Sequence, residues 1–196
     1  YVSWPKLNSR HQLIASMSKS AFIIIDPQND FTSREGNYAK RHTGITQIEA
    51  AKENINKLLA WRHIENFIVI KSHYSPHQFG KGLYMCIPGT FGHQIDKDLY
   101  LDEKTMLIVK AEHSAFSSRQ FKEYIKREEI DTLILCGFLA EYCVKQTALD
   151  AIEAGYKVQL VEDCIGTGDD VQYRKQQMME VLQQKGGEVT KSAFYK

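Results

Sequence analysis

The chain has 196 residues, a formal net charge of +1, 43% hydrophobic residues and 25% charged ones. That length suits one domain with a core large enough to need no disulfide or metal staple. Acids and bases are interspersed, without the basic stripe of a nucleic-acid binder. No apolar stretch reaches the roughly 20 residues of a membrane span, so a small-molecule partner is favoured over nucleic acid or membrane.

Five runs rich in Ile, Val and Leu read as strands: Ala21–Ile25, Phe67–Lys71, Met106–Val109, Thr132–Cys136 and Val158–Val161. A sixth, weaker run covers Glu188–Ser192. They are continuous rather than alternating, the pattern of strands buried on both faces of a parallel sheet. Between them, Ile45–Trp61 repeats apolar residues at helical spacing through Ile48, Ala51, Ile55, Leu58 and Leu59. Ser117–Arg127 places Phe121, Tyr124 and Ile125 on one face. Glu141–Ala154 stops at Gly155, and Asp169–Lys185 opens on two acids and ends at Gly186 and Gly187. Strands alternating with helices predict an α/β fold of βαβ units with right-handed crossovers. The segment Ser72–Leu101 has no clear periodicity, and a loop that long in a compact domain is usually functional. It follows the second strand, so it is expected to cover a pocket.

Three strand ends carry chemistry. Phe22–Ile25 runs into Asp26, Met106–Val109 runs into Lys110, and Thr132–Gly137 leads to Cys143 at the start of a helix. An acid, a base and a thiol at the carboxyl ends of parallel strands is the layout of an α/β active site. The first turn of a helix offers unpaired N–H groups and a positive dipole end, so the thiolate of Cys143 is expected to be favoured. Cys136 and Cys164 read as packing residues, and Cys86 lies in the covering loop without an evident partner. None of the four cysteines has CxxC or zinc-finger spacing, which points to reduced thiols in a cytoplasmic protein.

The motifs carrying these residues resemble the isochorismatase-like (cysteine hydrolase) superfamily. They are Phe22-Ile-Ile-Ile-Asp-Pro-Gln-Asn-Asp-Phe31, Cys86-Ile-Pro-Gly-Thr-Phe-Gly92, Val109-Lys-Ala-Glu-His-Ser-Ala-Phe116 and Gly137-Phe-Leu-Ala-Glu-Tyr-Cys-Val144. They stand in the expected order, and four ordered motifs are far more specific than one. The resemblance implies a three-layer α/β/α domain with a six-stranded parallel sheet in order 3-2-1-4-5-6. The match spans roughly Ala21 to Ala193, and residues 1–196 are expected to form one domain, with 1–20 as an N-terminal extension. It implies a triad of Asp26, Lys110 and Cys143, and an oxyanion hole from the backbone N–H groups of Ala140 and Cys143. A non-proline cis peptide is expected at Leu139–Ala140. Homo-oligomers, dimers or tetramers, are common in the superfamily, and Tyr1–Met17 is either a segment that packs on a partner chain or a frayed tail.

Phe31, His73, Tyr74, Phe116, Leu139 and Tyr142 flank these motifs and are the expected pocket walls, suited to a small planar substrate. Glu112 and His113 face either the pocket or solvent. The chain also resembles nicotinamidases near Ala140–Cys143, and these hold a metal through an Asp-x-His pair and a later His. Here His73, Ser75 and Met85 stand at those places. Ser and Met are poor ligands for such a cation, so neither metal nor cofactor is expected. The leading expectation is a metal-independent hydrolase of a small amide, carbamoyl or related C–N bond. The alternatives are an isochorismatase-type vinyl-ether hydrolase, a nicotinamidase-like amidase, or a catalytically silent scaffold.

Overall fold

The computed structural model describes residues 18–61, 66–103 and 105–195, so the Tyr1–Met17 segment lies outside the described residues. Strands β1 (Ser20–Ile25), β2 (Phe67–Ser72), β3 (Met106–Lys110), β4 (Thr132–Phe138), β5 (Lys157–Gly166) and β6 (Glu188–Thr190) form one sheet. All neighbouring pairs are parallel and the order is β3-β2-β1-β4-β5-β6, as expected. The helices are a single turn α1 (Asn29–Thr32), α2 (Thr46–Trp61), α3 (Arg119–Arg127), α4 (Lys145–Glu153) and α5 (Gln172–Gln184).

Alternation along β1 shows why the apolar runs have no polar positions. Ala21, Ile23 and Ile25 pack with Phe121 and Ile125 of α3, Ala148 of α4 and Met178 of α5. Phe22 and Ile24 pack on the opposite face, with Ile48, Ala51, Ile55 and Leu58 of α2. Both sides of the strand are therefore core, which gives three layers.

Element boundaries move where side chains cap them. Helix α3 starts at Arg119, two residues later than its periodicity suggested, because the Ser118 hydroxyl accepts the Phe121 N–H as an N-cap. Asp169, expected to favour its own helix, instead caps α2: its carboxylate accepts the N–H groups of Thr46 and Gln47 at 2.8 and 2.9 Å. Strand β5 runs five residues beyond Val161, to Gly166, with a register shift against β4 between Leu135 and Gly137.

At that irregularity Gly137 adopts φ +113°, and a Cβ there would overlap the backbone carbonyl of Ile25. The close approach brings the ends of β1 and β4 together, which is what sets Asp26 beside the segment carrying Cys143. Gly137→Ala combines a left-handed backbone with a backbone clash and is expected to cost about 3 kcal/mol or more. Gly155→Ala is the control, because Gly155 also has positive φ but open space around it. It should cost about 1 kcal/mol. Urea midpoints of the two variants test this, and equal shifts would refute the close-approach argument.

Candidate active site

Asp26 follows directly on β1 and turns the chain through φ +49°, a conformation that Asp tolerates better than most residues. Lys110 closes β3. Both side chains are fully buried, with Nζ 2.9 Å from Asp26 Oδ2. The ammonium also donates to Ser72 Oγ (2.7 Å), Tyr74 Oη (2.9 Å), the Glu112 carbonyl (2.9 Å) and Cys143 Sγ (3.5 Å). Three N–H groups serve more acceptors than they can satisfy at once, so the sulfur shares the cation with the carboxylate. Burial opposes the Lys110 charge, but Asp26 and Cys143 outweigh it and raise its pKa above the ordinary lysine value. Asp26 Oδ1 is tied to the Ser72 hydroxyl at 2.9 Å. Oδ2 faces the Lys110 ammonium in the ion pair.

Cys143 is 3% exposed and sits in a π-helical turn, Ala140–Val144, that feeds into α4. The Leu139 carbonyl accepts both the Tyr142 and Val144 N–H groups, which winds the turn around the sulfur. The cis peptide is Phe138–Leu139, one bond earlier than expected from the motif: β4 extends through Phe138 and the turn begins at Ala140. The expected thiolate preference is also corrected. Burial first, then the Asp26 charge, push the Cys143 thiol up to about 12, against the pull of Lys110. Desolvation outweighs the helix end and favours the S–H form of the sulfur.

A cavity of about 470 Å³ opens onto Cys143. Four of the expected wall residues line it: Phe31, Tyr74, Leu139 and Tyr142. Two lie elsewhere. His73 is exposed and its ring packs edge-on against His93, because the strand parity that points Ser72 and Tyr74 inward turns His73 out. Phe116 packs into the core with Phe121 and Tyr156 instead. Sequence reasoning missed Tyr38, Arg41 and His42 from the segment after α1, and Phe79, Leu83 and Met85 from the loop after β2. These come from segments without periodicity, where nothing in the sequence marks direction. His113 also lines the cavity, 3.7 Å from Sγ through Nδ1, which places it on the pocket side. Ser72 and Gln28 were missed too. Gln28 grips the Ser72 backbone through both its N–H and its carbonyl and so fixes the end of β2. Ser72 had a readable signal, since it closes a strand just as Lys110 does.

A profile of the isochorismatase domain matches residues 20–194. The chain belongs to the isochorismatase family. Within the family, it is 28% identical to the nicotinamidase of Escherichia coli over 84% of this chain and 92% of that one. Among solved structures, an isochorismatase-like hydrolase from Alkaliphilus metalliredigens is 26% identical, with a TM-score of 0.76 over 91% of this chain and 96% of that one. The L. infantum protein PnC1, solved in complex with nicotinate, shares the fold at 22% identity. Its TM-score is 0.77, over 90% of this chain and 94% of that one. As an isochorismatase-family hydrolase, the chain brings Asp26, Lys110 and Cys143 into one buried network. No helix among the described residues is long and apolar enough to cross a membrane.

The nicotinamidase-type metal does not fit the residues present. His73 faces away from the cavity against His93, and Ser75 and Met85 are poor donors for such an ion. Among the described residues, no three His, Cys, Asp or Glu side chains stand close enough to hold a metal.

Proposed function

We propose that this family member hydrolyses a small amide, carbamoyl or related C–N bond through Cys143, without a metal. The observation that carries the reading is the thiol at the floor of an aromatic cavity, with the buried Asp26–Lys110 pair directly behind it. Asp26 takes the S–H proton as the sulfur attacks the carbonyl carbon, and Lys110 offsets the charge that develops. The resulting oxyanion is accepted by the backbone N–H groups of Ala140 and Cys143 in the turn. Asp26 then returns the proton to the leaving nitrogen, and the C–N bond breaks to give a thioester.

The cavity suits a compact substrate, and its walls of Phe31, Tyr38, Phe79 and Tyr142 suit a planar one. The nicotinamidase of Escherichia coli acts on such an amide, which makes aromatic and heteroaromatic carboxamides the first compounds to screen. The free cysteines, all buried, suit a reducing cytoplasm, and we take the working unit to be a homo-oligomer.

Asp26→Asn separates the two roles of the carboxylate. Removing the anion that raises the Cys143 pKa leaves Lys110 as the nearest charge, so the thiolate fraction rises. Alkylation of Cys143 by iodoacetamide at pH 7 is expected to accelerate about tenfold or more, since each pKa unit is a factor of ten. Hydrolysis is expected to fall by about 100-fold or more, for want of the base. Peptide mass spectrometry with a steady-state amide assay measures both. A variant that loses both reactivities together would refute Asp26 as the proton acceptor.

A further inference from the structure

Water that attacks the thioester must enter by the cavity, and the groups lining that cavity are not those that activate the thiol. Asp26 and Lys110 are fully buried behind the sulfur and do not line it. His113 does. Its ring stacks on Phe79, with centroids 4.1 Å apart and planes 18° from parallel, and on Tyr142 at 5.7 Å and 29°. This fixes Nδ1 3.7 Å from Sγ, on the cavity side. The other histidine in the wall, His42, is turned to Asp170, with Nδ1 2.9 Å from its carboxylate. The remaining acid–base group near the sulfur on this side is the Tyr74 hydroxyl, whose pKa burial raises, so it does not serve as a base near neutral pH.

We propose that His113 is the general base of thioester hydrolysis, dividing the reaction with Asp26. The proposal rests on the cysteine-nucleophile reading above. Neutral His113 accepts a proton at Nδ1 as the water oxygen bonds to the thioester carbon. The tetrahedral adduct then collapses, the C–S bond breaks, and the acid leaves. The Cys143 thiolate takes the proton back from Nδ1 across the same contact, which restores the S–H group and the neutral imidazole. No further reactant is needed.

The charges around the ring are consistent with this. Lys110, Asp26 and Glu112 act on it through space, while Cys143, Tyr74 and Tyr142 pack beside it. Burial first, and then Lys110, lower its pKa below the ordinary histidine value, which keeps it a free base at pH 7.

The test uses p-nitrophenyl acetate, whose leaving group needs no proton, so acylation and hydrolysis separate as a burst and a steady state. His113→Gln and His113→Phe are compared with the unmodified protein, with Cys143→Ala as the background. Phe retains the stacking between Phe79 and Tyr142 while removing the base. Both variants should keep the burst, accumulate acetyl-Cys143 by peptide mass spectrometry, and lose about 100-fold in the steady-state rate. The unmodified protein should show an acid limb below the ordinary histidine range, absent in both variants. An unchanged steady state, or recovery in His113→Phe, would make the residue a packing element and overturn the assignment. A normal-looking fold with no burst and no acetyl on Cys143, in the variants as well as in the unmodified protein, would instead overturn the nucleophile reading, and this inference with it.

Discussion

On the proposed reading, Cys143→Ala is expected to lower turnover of a small amide by at least about a thousand-fold, with little change in the unfolding midpoint. The side chain is small and buried, so its truncation leaves a modest void, while the proposed reaction would lose its nucleophile. The comparison that decides between chemistries uses the same variant on an isochorismate-like vinyl ether. Acid–base cleavage needs Asp26 and Lys110 but no sulfur, so retained activity on that substrate would replace amide hydrolysis as the reading. Loss of amide turnover without any vinyl-ether cleavage, with circular dichroism unchanged, is the expected outcome.

Lys110→Met should be the most destabilising single substitution among the site residues. The methionine is close to the lysine stem in shape, so packing survives, but the Asp26 carboxyl is left in a fully buried place without its partner. Breaking one side of a buried pair costs about 3–5 kcal/mol. The pH dependence follows from the raised Lys110 pKa. A group whose folded pKa exceeds its unfolded one contributes its full stabilisation below the unfolded value, near ~10.4 for lysine. That contribution is lost as pH rises through the higher folded value. The unmodified protein should therefore lose stability in the alkaline range above about pH 10, and Lys110→Met should lack that component. Guanidinium midpoints measured from neutral to alkaline pH test both statements. A midpoint for the variant within about 1 kcal/mol of the parent would show that water or another cation reaches Asp26.

The parts of this molecule that were readable from sequence share one physical property: they are paired on both sides. Strands β1 and β4 are buried on both faces, and so their apolar runs are unbroken. Asp26 and Lys110 stood out because a charge ending such a run must find an opposite charge. The cavity walls had no such constraint. Phe79, Leu83 and Met85 belong to a loop whose direction is set by contacts made far away, such as Asp30, which accepts the Cys86 N–H at 2.6 Å. The same reasoning misplaced His73 and Phe116, which sit beside the motifs in sequence but not around the sulfur in space. The placement of the cis bond missed by one residue because motif reading has no access to where a strand stops. The expectation of a depressed thiol pKa counted the helix end and left out desolvation, which is visible only once the cavity floor is built.

A sulfur held as S–H has a bearing on how long the protein survives. Peroxide attacks the anion, and burial together with the Asp26 charge raises the Cys143 pKa, so the anion is the minor form at pH 7. The same burial and the same carboxylate that disfavour ionisation thus shield the residue from conversion to sulfenic acid. The protein keeps its reactive atom in the form least open to oxidants.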